Sequence, residues 1–302
     1  MSNATTGTQA LTPRYRLEGA ALRILFGLFR LLGLARASAF GGWLVSRIGP
    51  RLGVSRRADR NLQHVMPTLT PRQRAQIIHD MWENLGRTIG EYPYLGTYAA
   101  AAQNTHDPLI KIEGLEHAAA AHAAGKGALF FSGHFANWEV LPLCLSAYKE
   151  NLAEVYRAAN NPAANKVILG LRQSHIAPKQ FPKGVEGARG IVRHLKNGGF
   201  LAILTDQKLR EGISADFMGH PAQTPPAAAQ FALKFNAPLI PASIARDKHC
   251  FTLTIHPPLA FTPSGNKSDD VQALTQLMND WLSAEIAKTP GHWLWLHNRW
   301  TF

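Results

Sequence analysis

At 302 residues the chain can form one large domain or two modest ones, and 46% hydrophobic against 17% charged residues excludes a disordered polymer. The formal net charge of +12 favours a partner with a negative surface: nucleic acid, anionic lipid or an acidic protein. Cys144 and Cys250 lie far apart without CxxC spacing, which argues against a disulfide framework or a zinc ribbon and for reducing surroundings.

Residues 1–13 are polar and are predicted to be a disordered start. No acidic residue occurs between residues 19 and 58, yet Arg23, Arg30, Arg36, Arg47, Arg51, Arg56 and Arg57 are interleaved there with apolar sequence. A cleaved secretory signal places its charge before an unbroken apolar stretch, so none is expected. A spanning helix needs about 20 mostly apolar residues, and the longest uncharged run, residues 37–46, falls short of that. Arg16, Arg23 and Arg30 recur every seven residues, which aligns them on one side of a helix. Leu22, Leu25, Phe26, Phe29 and Leu32 occupy other faces. Such a helix suits a membrane interface, arginines toward phosphates and Leu and Phe toward acyl chains. A basic helix packed on the protein's own core is the alternative, and whether the arm spans or lies on the bilayer stays open.

Gly49, Pro50 and Gly53 form a helix-stop signal. After a turn at Met66 and Pro67, Thr70 and Pro71 suit an N-cap and first helical position, and Ile77, Ile78, Met81, Trp82 and Leu85 follow at helical spacing. From about residue 108, short apolar runs (GALFFSG, AEVYRA, GFLAILTD, APLIPASI, CFTLTIHP) alternate with helical stretches. This predicts an α/β fold with a central mixed, largely parallel sheet flanked by helices. A last helix is predicted over residues 268–288. The expected organisation is a disordered start and membrane-associated arm in residues 1–58, then a catalytic domain in residues 59–302.

The sharpest local feature is GALFFSGHFANWE, residues 127–139. A buried strand runs into Ser132 and Gly133, so His134 emerges at the carboxyl end, where ligands of α/β sheets bind. Asn137 can cap the next segment and place Glu139 in the first turn of a helix. Glu139 would then hold one imidazole nitrogen of His134 and leave the other as a general base; a purely structural His–Glu hydrogen bond is the alternative. There is no G-x-S-x-G elbow, HExxH or P-loop, and Cys144 sits in an apolar stretch that reads as core. A base without an enzyme nucleophile fits transfer to a substrate hydroxyl.

His134 and Glu139 match the H-x4-D/E motif of glycerolipid-type acyltransferases, and the chain resembles the bacterial lipid A biosynthesis (lauroyl/myristoyl-type) branch of that superfamily. The resemblance is carried by Arg60, Asn61, Leu62, Pro67, Leu69, Thr70 and Arg74, by MWENLGR with Glu91, and by Arg157, Arg172 and the turn at Ala188, Arg189 and Gly190. It continues through Thr205, Asp206 and Gln207, FMG, PAQT and the closing PGHWLWLHNRW. It implies acyl transfer from acyl carrier protein to a hydroxyl of a lipid A precursor, with another glycolipid, ornithine-lipid or phospholipid acceptor as the alternative. It further implies a catalytic His134 and Glu139, with Arg157, Arg172, Arg189, Asp206 and Gln207 binding substrate or supporting the site, no metal and no cofactor.

Each supporting residue also has a plain reading: a surface arginine or ion pair for the three arginines, a turn cap for Asp206 and Gln207. The implied location is the cytoplasmic face of the bacterial inner membrane, peripheral or single-anchored. Acyl carrier protein, an anionic glycolipid and the membrane surface would use the basic charge. Nucleic acid is not expected, because the aromatic interleaving of a base-stacking surface is missing. Trp293, Trp295 and Trp300, with His292 and His297, suit core packing, in a final strand or an interface belt.

Overall fold

The computed structural model describes residues 12–302. Helix α1 (Pro13–Leu32) begins where the Thr12 hydroxyl accepts the N–H of Tyr15 and Pro13 takes the first helical position. The expected disordered start therefore ends before Pro13, and its residues 1–11 lie outside the described residues. Gly33, at φ +76°, breaks the arm into two helices, and α2 (Leu34–Ile48) closes at Gly49 and Pro50 as predicted. Next come α3 (Ser55–Val65) and α4 (Pro71–Glu91), the latter opened by a full capping box between Thr70 and Gln73.

After α5 (Leu95–Ala101) the chain alternates: β1 (Ile110–Glu113), α6 (Leu115–Ala123), β2 (Ala128–Ser132), a kinked 3-10 segment (Leu141–Asn151) and β3 (Leu152–Tyr156). It continues through α7 (Pro162–His175), β4 (Lys179–Pro182), α8 (Val185–Lys196), β5 (Phe200–Leu204) and the hairpin β6 (Ile213–Phe217) with β7 (His220–Thr224). The last elements are α9 (Ala227–Phe235), β8 (Leu239–Asp247), β9 (Cys250–Ile255) and α10 (Lys267–Lys288).

Seven strands form one sheet in the order β1-β9-β8-β2-β5-β3-β4, parallel throughout except where β8 and β9 make an antiparallel hairpin. This is the mixed, largely parallel sheet the apolar runs imply. β2 lies at its centre and every residue of it is buried, because helices and the 3-10 segment cover both faces. The closing tryptophans form no strand. Trp293, Trp295 and Trp300 are fully buried and pack edge-on or stacked on one another, as core.

α2 is seated closely on α4. A Cβ added at Gly41 would lie 2.3 Å from the Gly86 carbonyl oxygen, and one at Gly90 would lie 2.3 Å from that of Ala37. Phe26 and Phe29 of α1 are buried, and Phe26 stacks on Tyr92 at 5.7 Å between ring centroids. This corrects the expectation that both face acyl chains: the inner face of α1 needs apolar groups of its own to dock on Tyr92 and α7. Leu25 and Leu32 are exposed as expected, and the outward row also takes in Leu17, Ile24, Leu28 and Leu31, with Phe40, Trp43 and Ile48 on α2. Leu17, Ile24 and Leu31 each follow directly on Arg16, Arg23 and Arg30, so an apolar row runs beside a basic one. Among the described residues, no helix is long and apolar enough to cross a membrane.

Candidate active site

β2 and β5 run parallel with Ser132 beside Leu204, so both strands release their chains at the same carboxyl edge. The Thr205 N–H still donates to the Ser132 carbonyl at 3.0 Å, and one residue beyond it Asp206 meets His134. Asp206 Oδ1 lies 2.8 Å from His134 Nδ1. Its Oδ2 accepts the backbone N–H of His134 and the indole N–H of Trp293, each at 2.8 Å. Asp206 is fully buried and His134 partly open. Burial alone would raise the Asp206 carboxyl, but the charge and hydrogen bonds of His134 outweigh it and hold the group well below the usual carboxylate range.

A carboxylate at Nδ1 makes that nitrogen the donor, which leaves Nε2 with its lone pair. The Gln207 amide nitrogen lies 3.1 Å from His134 Nε2 and 3.1 Å from His297 Nε2, so one NH2 group serves two imidazoles. Burial and repulsion from His134 push His297 down to about 4, which keeps it neutral and able to accept that bond. The arrangement is a lone pair aimed away from a buried carboxylate, the geometry of a general base.

Glu139 does not hold the imidazole, contrary to the expected pairing. Arg172 grips it with Nε to Oε2 at 2.7 Å and Nη2 to Oε1 at 2.5 Å, and Trp138 adds its indole N–H at 3.0 Å. The reason is local. Asn137 does not open an α-helix; Ala136 takes a left-handed φ of +41°, and the chain turns directly into the 3-10 segment. Asn137 accepts the Glu139 N–H at 3.2 Å, but it closes a turn instead of capping the expected helix, and that turn sends the carboxylate to α7. Asp206 meanwhile occupies Nδ1 from the neighbouring strand end.

A cavity of about 230 Å³ opens on these groups. His134, Glu139, Arg157, Arg172, Gln207 and His297 line it, as do Lys183 and Ser132. Its apolar wall includes Phe130, Leu141, Leu145, Val155 and Ala202, from β2, β3, β5 and the 3-10 segment. Cys144 lies in that wall as a buried core thiol that burial pushes up to about 12, which makes it a poor nucleophile. Arg157 is exposed on the cavity lining just past β3. Arg189 is exposed on α8 and lines no part of the cavity, in keeping with a surface arginine.

Local sequence puts Asp206 at a strand end but does not name its partner, and it assigns His297 and Trp293 to packing. One available signal is that GFLAIL-T-D repeats the design of ALFFS-G-H, a polar residue two places beyond a buried strand. That β5 neighbours β2 is absent from the local pattern. Among the described residues, the one group suited to a metal ion is His79, Asp80 and Glu83, whose ligand atoms lie within 4.8 Å of one another; none of them lines the cavity.

The family described as "Bacterial lipid A biosynthesis acyltransferase" matches residues 8–301, and the chain belongs to that family. A phosphatidylinositol mannoside acyltransferase of Mycobacterium tuberculosis is 27% identical over 194 residues, a match that spans 63% of this chain and only 59% of that protein. A lipid A biosynthesis acyltransferase of Haemophilus influenzae is 22% identical over 244 residues, 80% of this chain and 73% of that one. Among solved structures, the 1-acyl-sn-glycerophosphate acyltransferase PlsC of Thermotoga maritima covers 89% of this chain and 98% of its own, at 15% identity and a TM-score of 0.36.

Proposed function

We propose that this chain transfers a fatty acyl group from an acyl carrier protein thioester to a hydroxyl of a lipid A precursor. The observation that carries the reading is the His134 to Asp206 contact at 2.8 Å, with Nε2 left beside a cavity that has an apolar wall and a cationic rim. In the reaction the acceptor hydroxyl replaces Gln207 at Nε2 and gives up its proton as its oxygen attacks the thioester carbonyl carbon. Asp206 stabilises the imidazolium that forms. The oxyanion of the tetrahedral adduct needs fixed donors, and Arg157 and Lys183 are the cationic groups at hand. Collapse breaks the C–S bond, and the leaving thiolate takes the proton back from His134. The thioester is already activated, so neither an acyl-enzyme nor a cofactor is needed.

Glu139 serves this site through Arg172, which it anchors beside the cavity. The outward rows of α1 and α2 suit a peripheral seat on an anionic membrane surface, and we place the protein at the cytoplasmic face of the inner membrane. Acyl carrier protein is the acidic partner that the basic surface fits. Transfer to another glycolipid uses the same base and cavity, and the mycobacterial relatives favour it as the second reading.

The test is transfer from an acyl carrier protein thioester to a panel of lipid acceptors, with His134→Ala as control. Transfer to a lipid A precursor, lost in His134→Ala while the fold persists, is the expected result. Transfer to a mannosylated phosphoinositide alone moves the assignment to the second acceptor, and normal turnover in His134→Ala removes the mechanism.

A further inference from the structure

Two consecutive residues between His134 and Glu139 are held from behind by a buried polar network that the proposed chemistry does not use. Ala136 sits at φ +41°, a conformation that an L residue with a side chain keeps only where its surroundings enforce it. Its carbonyl accepts Asn84 Nδ2 at 2.9 Å and Thr88 Oγ1 at 3.2 Å, and its N–H donates to the His292 carbonyl at 2.9 Å. Asn137, fully buried, donates Nδ2 to Glu91 Oε2 at 2.8 Å while its Oδ1 takes the Glu139 N–H.

Glu91 is the node. It is the last residue of α4 and has no exposed surface. Arg246 of β8 clasps both its oxygens, through Nη1 to Oε1 and through Nη2 to Oε2 at 3.0 Å. The Arg246 Nε also donates to Asn84 Oδ1 at 2.8 Å, which aims the Asn84 amide at Ala136. Ser38 of α2 completes the set with Oγ to Glu91 Oε1 at 2.7 Å. A buried ion pair of this kind is weak support for stability, since apolar replacements often do as well. A fully satisfied buried network specifies one geometry instead, and here that geometry is the backbone between the two cavity-lining residues of the motif.

We infer that Glu91 is a positioning residue for the loop 133–140, and that Ser38 makes the loop's geometry depend on the seating of α2. The carboxylate of Glu91 fixes Asn137, Asn137 fixes the Glu139 backbone, and the membrane-facing arm contributes one bond to the arrangement. Only the kinetic part of the test rests on the acyl-transfer reading.

The experiment compares Ser38→Ala and Glu91→Gln with the parent in the full chain. Amide hydrogen exchange is read at Glu139 and at Leu129 and Phe130 of β2, and kcat and KM are measured with an acyl carrier protein thioester and a lipid A precursor. Ser38→Ala, which removes one hydroxyl from a buried site, is the variant that keeps the fold. Expected is exchange about tenfold faster at Glu139 with β2 unchanged, and a lower kcat with KM little altered. Unchanged exchange at Glu139 in both variants overturns the inference, as does a rise shared equally by β2, which marks general loosening. A parent chain inactive on these substrates counts against the proposed function, while the exchange result still decides the role of Glu91.

Discussion

Trp293 donates its indole N–H to Oδ2 of Asp206 at 2.8 Å, the same oxygen that receives the backbone N–H of His134. The closing segment therefore acts on His134 through the carboxylate that orients it. Phe135 and Trp293 also form an isolated antiparallel bridge, so the segment braces the loop along its backbone as well. His297, four residues on, then reaches Gln207.

Glu139 and Arg172 are a buried pair with side-chain exposures of 5% and 20%. Arg172→Met leaves the buried Glu139 carboxylate without its guanidinium, beside the Trp138 indole and the buried Tyr92 hydroxyl, so a loss of about 3 kcal/mol is expected in urea unfolding. Adding Glu139→Gln to that variant should recover much of the loss, because no uncompensated charge remains. A single variant as stable as the parent contradicts the assignment of Glu139 to Arg172.

Glu154, on β3 within the cavity lining, gives a pH prediction. Burial pushes its carboxyl up to about 7, against the lowering effect of its hydrogen bond from Gln180 and the charge of Arg172. Between its ordinary value near 4.5 and about 7 the folded protein holds a proton that the unfolded chain has lost, so stability falls as pH rises through that window. Glu154→Gln should flatten that slope in urea midpoints taken on either side of the window. An unaltered slope would assign the pH dependence elsewhere.

Ile24, Leu28 and Leu31 are 64%, 56% and 83% exposed and share one face of α1. Each is worth about 1.5–3 kcal/mol if fully withdrawn from water, so replacing all three by Asp should release the protein from vesicles containing anionic phospholipid. Cosedimentation checks this, with circular dichroism to confirm that the helices persist. Undiminished binding means that another surface meets the membrane.

The range of each interaction decides how much of the molecule is legible in its sequence. Strands β2 and β5, the Thr70 cap and the helix stop at Gly49 are written within a few residues, and all are where the pattern puts them. The partners of Glu139 and His134 are 33 and 72 residues away, and pairing them requires the strand order and the position of α7. The Phe26 and Phe29 rings share helical spacing with outward leucines, and only the docking of α1 on Tyr92 and α7 separates the inner face from the outer. Alternation in WLWLHNRW suggests a strand, but its tryptophans turn into the core from irregular backbone.

The central claim, that Asp206 sets His134 as a base, is tested most directly by the transfer rate of Asp206→Asn. The asparagine keeps the shape, but its amide N–H facing Nδ1 favours the tautomer with the proton on Nε2, where no lone pair remains for the acceptor hydroxyl. A fall in kcat of about 10⁴-fold in a folded protein is the expected result, the size such a tautomer error has in a Ser-His-Asp triad. A rate within a few-fold of the parent would contradict the account.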